Sequence, residues 1–304
     1  MKSTIIRTVS AVVVCAVMLA VMSGYARDTW TYQPTQTVAT QTEKVTLKPL
    51  SHEPWNKLKE KYPDTVGYLK VPGTDINEVV VQSKKDNDYY LRRGPDQKYR
   101  YSGSYFMDYR NVADLSQNIT IYGHNLNDPS RYFGQLLRYK ELDFYKKNPI
   151  IYFDTENTVG RWKIVAMFLT NINTRDGVRY DWYRKTNFAS QEEFLYQFIE
   201  RSRRRSYIDC PVDVVENDRI LTLYVCDYAL NRSGDKKSQA RFIVIARQLR
   251  EGEDETVDVS KATVNKDVLM PEGYYDLYGG TRPTFPDEPL LSDPTTVATT
   301  TKKK

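Results

Sequence analysis

Ile220 to Tyr228 reads ILTLYVCDY, a strongly apolar run that ends abruptly on a cysteine and an aspartate. As a strand it places Leu221, Leu223 and Val225 on one face and Thr222, Tyr224 and Cys226 on the other. The first face belongs to a core. The chain has only three cysteines among 304 residues, so a thiol at the lip of a strand calls for a reason. A free cysteine is often just a small buried hydrophobe. A strand end can equally aim a nucleophile at solvent.

Two further residues bear on that choice. Histidine is scarcer than cysteine: there are two, His52 and His124. His124 closes the apolar stretch Ile119-Thr-Ile-Tyr-Gly-His-Asn125 much as Cys226 closes its own. Arg241 opens RFIVIAR, whose Phe242, Val244 and Ala246 face away from it. Fourteen residues lie between Cys226 and Arg241, enough for the two strands to pair and return the guanidinium beside the thiol. There it can hold a developing oxyanion. Taken singly, each residue has a structural reading; together they make a thiol–imidazole pair with a cation.

The motifs IYGHN, ILTLYVCDY and ARFIVIAR, in that order and spacing, resemble the histidine, cysteine and arginine motifs of the sortases. These are cysteine transpeptidases that attach proteins to Gram-positive cell walls. Gly73–Leu91 (GTDINEVVVQSKKDNDYYL), Gly103–Asn111 (GSYFMDYRN) and the segment TNFASQEEFLYQFI are similar to class B members, and the likeness runs from about Trp55 to Leu249. It implies an eight-stranded β-barrel with N-terminal helices and a helix before the cysteine strand. By motif position Cys226 is the nucleophile, His124 the general acid/base and Arg241 the oxyanion and substrate clamp. The family's substrates are secreted proteins with a C-terminal sorting signal, cleaved through a thioester. The acceptor is an amine of peptidoglycan or its lipid-linked precursor, and no cofactor is implied.

Departures from the family pattern mark further residues. The strand reads TLYVC where relatives carry TLSTC or a close variant, so Tyr224 falls on the thiol's face and bears on substrate preference. Asn87 matches a substrate-contacting position of class B enzymes, and Asp227, beside the nucleophile, is a further candidate substrate contact. The loop from Asp227 to Ala240 is long and makes Arg232 a rival to Arg241. Within the family, pilin polymerisation is the alternative chemistry. A catalytically idle binding module at the wall is the alternative class. An L,D-transpeptidase is disfavoured, because its SHGC-type motif is absent.

The remaining chain gives a frame. Lys2 and Arg7 precede Val9–Ala26, eighteen residues without a charge. That length suits a single-pass signal-anchor with residues 1–8 inside and the body exported. A cleaved signal peptide ending near Gly24-Tyr-Ala26 is the competing reading. Residues 27–50, rich in Thr and Gln, read as a spacer. Residues 51–250 hold the catalytic domain. Strands are predicted at Val66–Val71, Val79–Gln82, Gly103–Asp108, Asn118–Tyr122, Ile150–Phe153, Arg161–Leu169, Ile220–Cys226 and Arg241–Arg247. Helices are predicted at Trp55–Tyr62, Asp86–Leu91, Arg131–Leu142 and from Ser190. There Ser190-Gln-Glu-Glu193 makes a capping box and Phe194, Leu195, Phe198 and Ile199 one apolar stripe. Mostly β with inserted helices is the class.

Three expectations concern the edges of this frame. Arg201–Arg205 (RSRRR) reads as a solvated helix end. Residues 251–304, with scattered Pro and Thr, read as an extended or disordered tail, with Tyr274, Tyr275 and Tyr278 as candidates for local docking. Cys210 and Cys226, both exported, raise a disulfide across a hairpin of Val212–Val215 and Arg219–Val225. Net charge is +5, too dispersed to argue for nucleic acid. No metal-ligand constellation is visible, and a monomer is expected.

Overall fold

The computed structural model describes residues 48–51 and 53–288. The predicted membrane segment, most of the predicted spacer, His52 and the last sixteen residues lie outside the described residues. Among the described residues no helix is long and apolar enough to cross a membrane.

Ten strands form: β1 Thr65–Lys70, β2 Asn77–Val81, β3 Tyr105–Met107, β4 Asn118–Gly123, β5 Ile150–Asp154, β6 Arg161–Asn171, β7 Ile208–Asp209, β8 Ile220–Asp227, β9 Ala240–Gln248 and β10 Thr263–Val264. Eight of them close a barrel in the order β1-β2-β3-β4-β8-β9-β6-β5, while β7 and β10 pair separately. Every neighbouring pair in the barrel is antiparallel except β2–β3 and β4–β8. Closure leaves no exposed sheet edge. All eight barrel strands coincide with predicted segments to within three residues at each end.

The barrel interior is filled by the inward alternation of its strands, including Leu221, Leu223 and Val225 of β8 and Phe242, Val244 and Ala246 of β9. The opposite faces are also covered. Ile220, Ile243 and Ile245 pack with Phe168 beneath Tyr180, Tyr183, Phe194, Phe198 and Ile199. This two-sided burial explains why the β8 run is almost continuously apolar. Each such side chain contributes about 1.5–3 kcal/mol on full burial.

The cover is carried by a π-helix, Glu192–Glu200, that continues into an α-helix at Arg201–Arg205. Half of the predicted capping box forms, with Glu193 N–H donating to Ser190 Oγ at 3.2 Å. The Glu193 carboxylate instead takes the Ala189 N–H at 2.9 Å and the Lys185 ammonium at 2.6 Å. Among the described residues the other helices include α1 Trp55–Lys61, 3₁₀ turns at Tyr89–Arg92 and Tyr132–Lys140, α2 Leu142–Lys147 and, numbering Arg201–Arg205 as α3, α4 Glu272–Tyr278.

Two edge expectations are corrected. The chain after Glu251 is not an extended tail through Glu288: β10 pairs with β7, and α4 packs on the barrel end. The Arg201–Arg205 run is not a solvated helix end either. Glu288, 6% exposed, is gripped by Arg201 at 2.7 and 2.8 Å and by Arg205 at 2.6 and 2.8 Å. Asp287 accepts from Arg204 at 2.8 Å. Burial alone would raise the Glu288 carboxyl, but the Arg205 and Arg201 guanidiniums hold it at about 2. A charge pairing across more than eighty residues fixes this segment without any apolar periodicity.

Candidate active site

Register places the three motif residues at one end of the barrel. Cys226 is the direct partner of Arg241 across the antiparallel β8–β9 pair, so their side chains leave the sheet on the same face. On the other side of β8, the parallel pairing with β4 ends at Gly123 opposite Val225. His124 is the next residue along, beside the cysteine level. The helical cover thins at this point: Tyr224 and Cys226 are the only half-buried positions on β8.

Cys226 and Cys210 are both free thiols. The segment 212–215 forms no strand, and β7 pairs with β10 rather than with β8. Cys210 therefore does not lie across from Cys226. It packs against the barrel core, and burial pushes its thiol up to about 12. It stays protonated and unreactive at neutral pH.

His124 Nε2 lies 2.8 Å from the Leu91 carbonyl oxygen. A carbonyl only accepts, so Nε2 carries the proton and Nδ1 is the nitrogen free to exchange one. Burial holds the imidazole below its ordinary value; the Leu91 bond opposes this and the Arg92 charge adds to it. The neutral ring is therefore the resting form at pH 7. Gly123 is required beside it, since a Cβ there would come within 2.5 Å of the Phe133 ring. Asn125, 2% exposed, donates from Nδ2 to the Cys226 carbonyl at 2.9 Å and ties the histidine loop to the cysteine strand.

Arg241 is held by neutral groups. Nε donates to Tyr224 Oη at 2.8 Å, and Nη1 donates to Ser238 Oγ and to the Ala240 carbonyl, each at 2.8 Å. Among the described residues no hydrogen bond engages Nη2 and no carboxylate pairs with the guanidinium. Tyr224 is in turn clasped edge-on by Tyr122, with ring centroids 4.9 Å apart, and by Tyr183 at 5.9 Å. The tyrosine that departs from the family pattern thus forms the seat of the arginine.

The other predicted residues fall differently. Asn87 spends its amide on the Asp108 carboxylate at 3.1 Å and on the Tyr109 N–H at 2.9 Å. Asp108 also accepts from Tyr122 Oη at 2.7 Å and from Arg110 at 2.8 and 2.9 Å. Asn87 is therefore linked to Tyr224 through Asp108 and Tyr122. Asp227 turns to the inner side of β8, 4% exposed, where it pairs with Lys140 at 2.7 Å and accepts the Ala229 N–H at 2.8 Å. Strand alternation sets these bonds on the face opposite Cys226. Arg232 is bonded to the buried Asp176 and lies 3.5 Å from Asp276, so it does not rival Arg241.

Sequence reasoning did not single out Asn125, Ser238 or Tyr122. Asn125 and Tyr122 stand inside the quoted IYGHN, but nothing in spacing alone says that one reaches across to β8 and the other stacks on it. Ser238 sits in a loop whose path no periodicity describes. Among the described residues no group of three or more His, Cys, Asp or Glu converges to hold a metal.

A thiol, an imidazole with one free nitrogen and an unpaired guanidinium at one open barrel end are the parts needed for acyl transfer. The sequence profile of the Sortase family, described as the sortase domain, matches residues 69–249. Sortase B of Staphylococcus aureus is 32% identical over 188 residues, covering 62% of this chain and 71% of that protein. Sortase B of Listeria monocytogenes is 33% identical over 165 residues, covering 54% and 63% respectively. Among solved structures, a Staphylococcus aureus sortase B–substrate complex superposes with a TM-score of 0.55 at 30% identity, covering 64% of this chain and 84% of that one. The chain belongs to the sortase family, with its likeness on the class B side, and is a cysteine transpeptidase.

Proposed function

We propose that Cys226 is the nucleophile, His124 the general acid/base and Arg241 the oxyanion clamp of a transpeptidase acting on exported proteins with a C-terminal sorting signal. The observation that carries this reading is the Cys226–Arg241 register with His124 closing the neighbouring strand. The Cys226 thiolate attacks the carbonyl carbon of the scissile peptide bond, and a C–S bond forms. The negative charge that develops on the carbonyl oxygen meets the guanidinium, whose Nη2 has no partner among the described residues. The C–N bond then breaks, and the leaving amine takes its proton from protonated His124. In the second half an amine of a peptidoglycan precursor attacks the thioester, gives up its proton to the imidazole, and the C–S bond breaks.

The depressed basicity of His124 bears on the first step. Burial favours the neutral imidazole in the resting enzyme, and the thiolate that attacks is intrinsically strongly nucleophilic. The apolar segment Val9–Ala26 and the basic residues before it support anchoring in the cell membrane with the catalytic domain outside. The solved Staphylococcus aureus relative is a substrate complex, which supports a peptide substrate here.

The test is peptide cleavage by a chain starting near Arg27. Quenched peptides from a degenerate sorting library, with and without an amine acceptor, should give cleavage and an acceptor-dependent ligation product. Cys226→Ala should give neither. Equal silence of wild type and Cys226→Ala across the library would favour a wall-binding role instead.

A further inference from the structure

We propose that α4, Glu272–Tyr278, is a positioning element for the transfer reaction: it holds the loop between β8 and β9, and through that loop the Arg241 guanidinium. The helix lies beyond residue 249, where the match to the sortase domain ends, and nothing in the barrel's closure requires it. The inference rests on Arg241 acting as the oxyanion clamp.

Three contacts join helix and loop. Leu230, fully buried, clusters with Leu169, Ala240 and Met270, and Tyr274, Tyr275 and Leu277 of α4 pack against that cluster. Tyr278 Oη donates to the Ala229 carbonyl at 2.8 Å. Asp276 lies 3.5 Å from Arg232, whose other nitrogen is bonded to Asp176. That same buried carboxylate is the floor for the helix itself: a Cβ on Gly273 would fall 2.4 Å from Asp176 Oδ1. Loop and helix therefore share one fixed point.

From Leu230 the path to the site is short. Asn231 Oδ1 accepts the Gln239 N–H at 2.9 Å, and Asn231 Nδ2 donates to the Lys237 carbonyl at 3.0 Å. These bonds bracket Ser238, whose Oγ accepts from Arg241 Nη1 at 2.8 Å. A long arginine side chain has much rotamer freedom to lose. A loop pinned by α4 presents it already ordered, and small misplacements of a charge-stabilising group are costly to rate. The far end of the segment is anchored independently, by Glu288 on Arg201 and Arg205.

The test uses the whole chain with Leu277→Ala and Tyr278→Phe, singly and together, and with Arg241→Lys as a second background. In the wild-type background the double variant should lower kcat roughly three- to tenfold, the loss of one or two modest contacts. KM, melting temperature and the rate of Cys226 labelling by a methanethiosulfonate should change little. In the Arg241→Lys background the same pair should have almost no further effect, because the contact it supports is already altered. An unchanged kcat would overturn the inference, as would an equal loss in both backgrounds. A drop in labelling rate that accounts for the whole loss would also overturn it, by showing a merely structural role. Should the wild-type chain itself cleave no peptide, the assignment of the site fails rather than the assignment of α4.

Discussion

Arg241 and Arg247 stand six residues apart on the same face of β9, in opposite surroundings. Arg247 is 1% exposed and saturated with carboxylate: Glu253 at 2.5 and 2.6 Å, Asp213 at 3.0 Å and Asp218 at 3.8 Å. Among the described residues Arg241 meets a phenol, a hydroxyl and backbone carbonyls, and no carboxylate. One guanidinium is neutralised and tethers the C-terminal segment to the barrel. The other keeps its charge uncompensated beside a thiol. A half-buried cation with no counter-ion among the described residues is costly, a cost that suits the oxyanion role proposed for Arg241.

Exchanging the tests between the two residues should separate holding from acting. Arg241→Ala should lower kcat about 100- to 1,000-fold, the usual effect of deleting an oxyanion donor, with little change in melting temperature. Arg247→Ala should do the reverse. It leaves Glu253 and Asp213 without their buried partner and should cost about 3 kcal/mol of stability, read by denaturant titration, while the folded fraction keeps its kcat. Similar kinetic losses in both variants would break the comparison.

Acid sharpens the same contrast. Burial would raise the Glu253 carboxyl, but its bonds to Arg247 and Lys163 hold it at about 2, and Glu288 behaves alike. Both values lie below that of an unfolded glutamate, so the stability they confer is fully present above about pH 4.3. It is lost as pH falls toward 2, by on the order of 2–3 kcal/mol for each group. Melting temperature should drop across that window, and Glu253→Gln should flatten the drop. A flat profile in the wild type would contradict the ion-pair assignment.

Smaller effects belong to the supports of Arg241 and His124. Tyr224→Phe removes the oxygen that accepts from Arg241 Nε and should cost roughly three- to tenfold in kcat/KM, without loss of fold. Arg92→Gln removes a positive charge that depresses His124. The acidic limb of the pH–rate profile should then move to higher pH. A shift downward would mean that the limb reports another group.

The barrel and its reacting ends were legible because they are local. Runs such as Arg161–Leu169 and Ile220–Cys226 announce strands by themselves, and Cys226, His124 and Arg241 each stand at the end or start of one. What escaped was non-local. Residues 251–288 carry little apolar pattern, yet Glu288 finds the Arg201–Arg205 run across more than eighty residues, while Glu253 pairs with nearby Arg247. Asp227 follows the thiol in sequence, and for that reason strand alternation points it to the other face. Tyr224 was visible as an anomaly, but its service to Arg241 required the register of β8 against β9.

The central claim is covalent chemistry at one sulfur. Intact-mass analysis of the enzyme quenched during turnover of a cleaved peptide reads it directly. The expected result is a protein heavier by the acyl fragment, with the adduct on the peptide that contains Cys226 and discharged by an added amine. A cleaving enzyme whose adduct falls on Cys210, or that turns over with no adduct while Cys226→Ala stays active, would contradict the account.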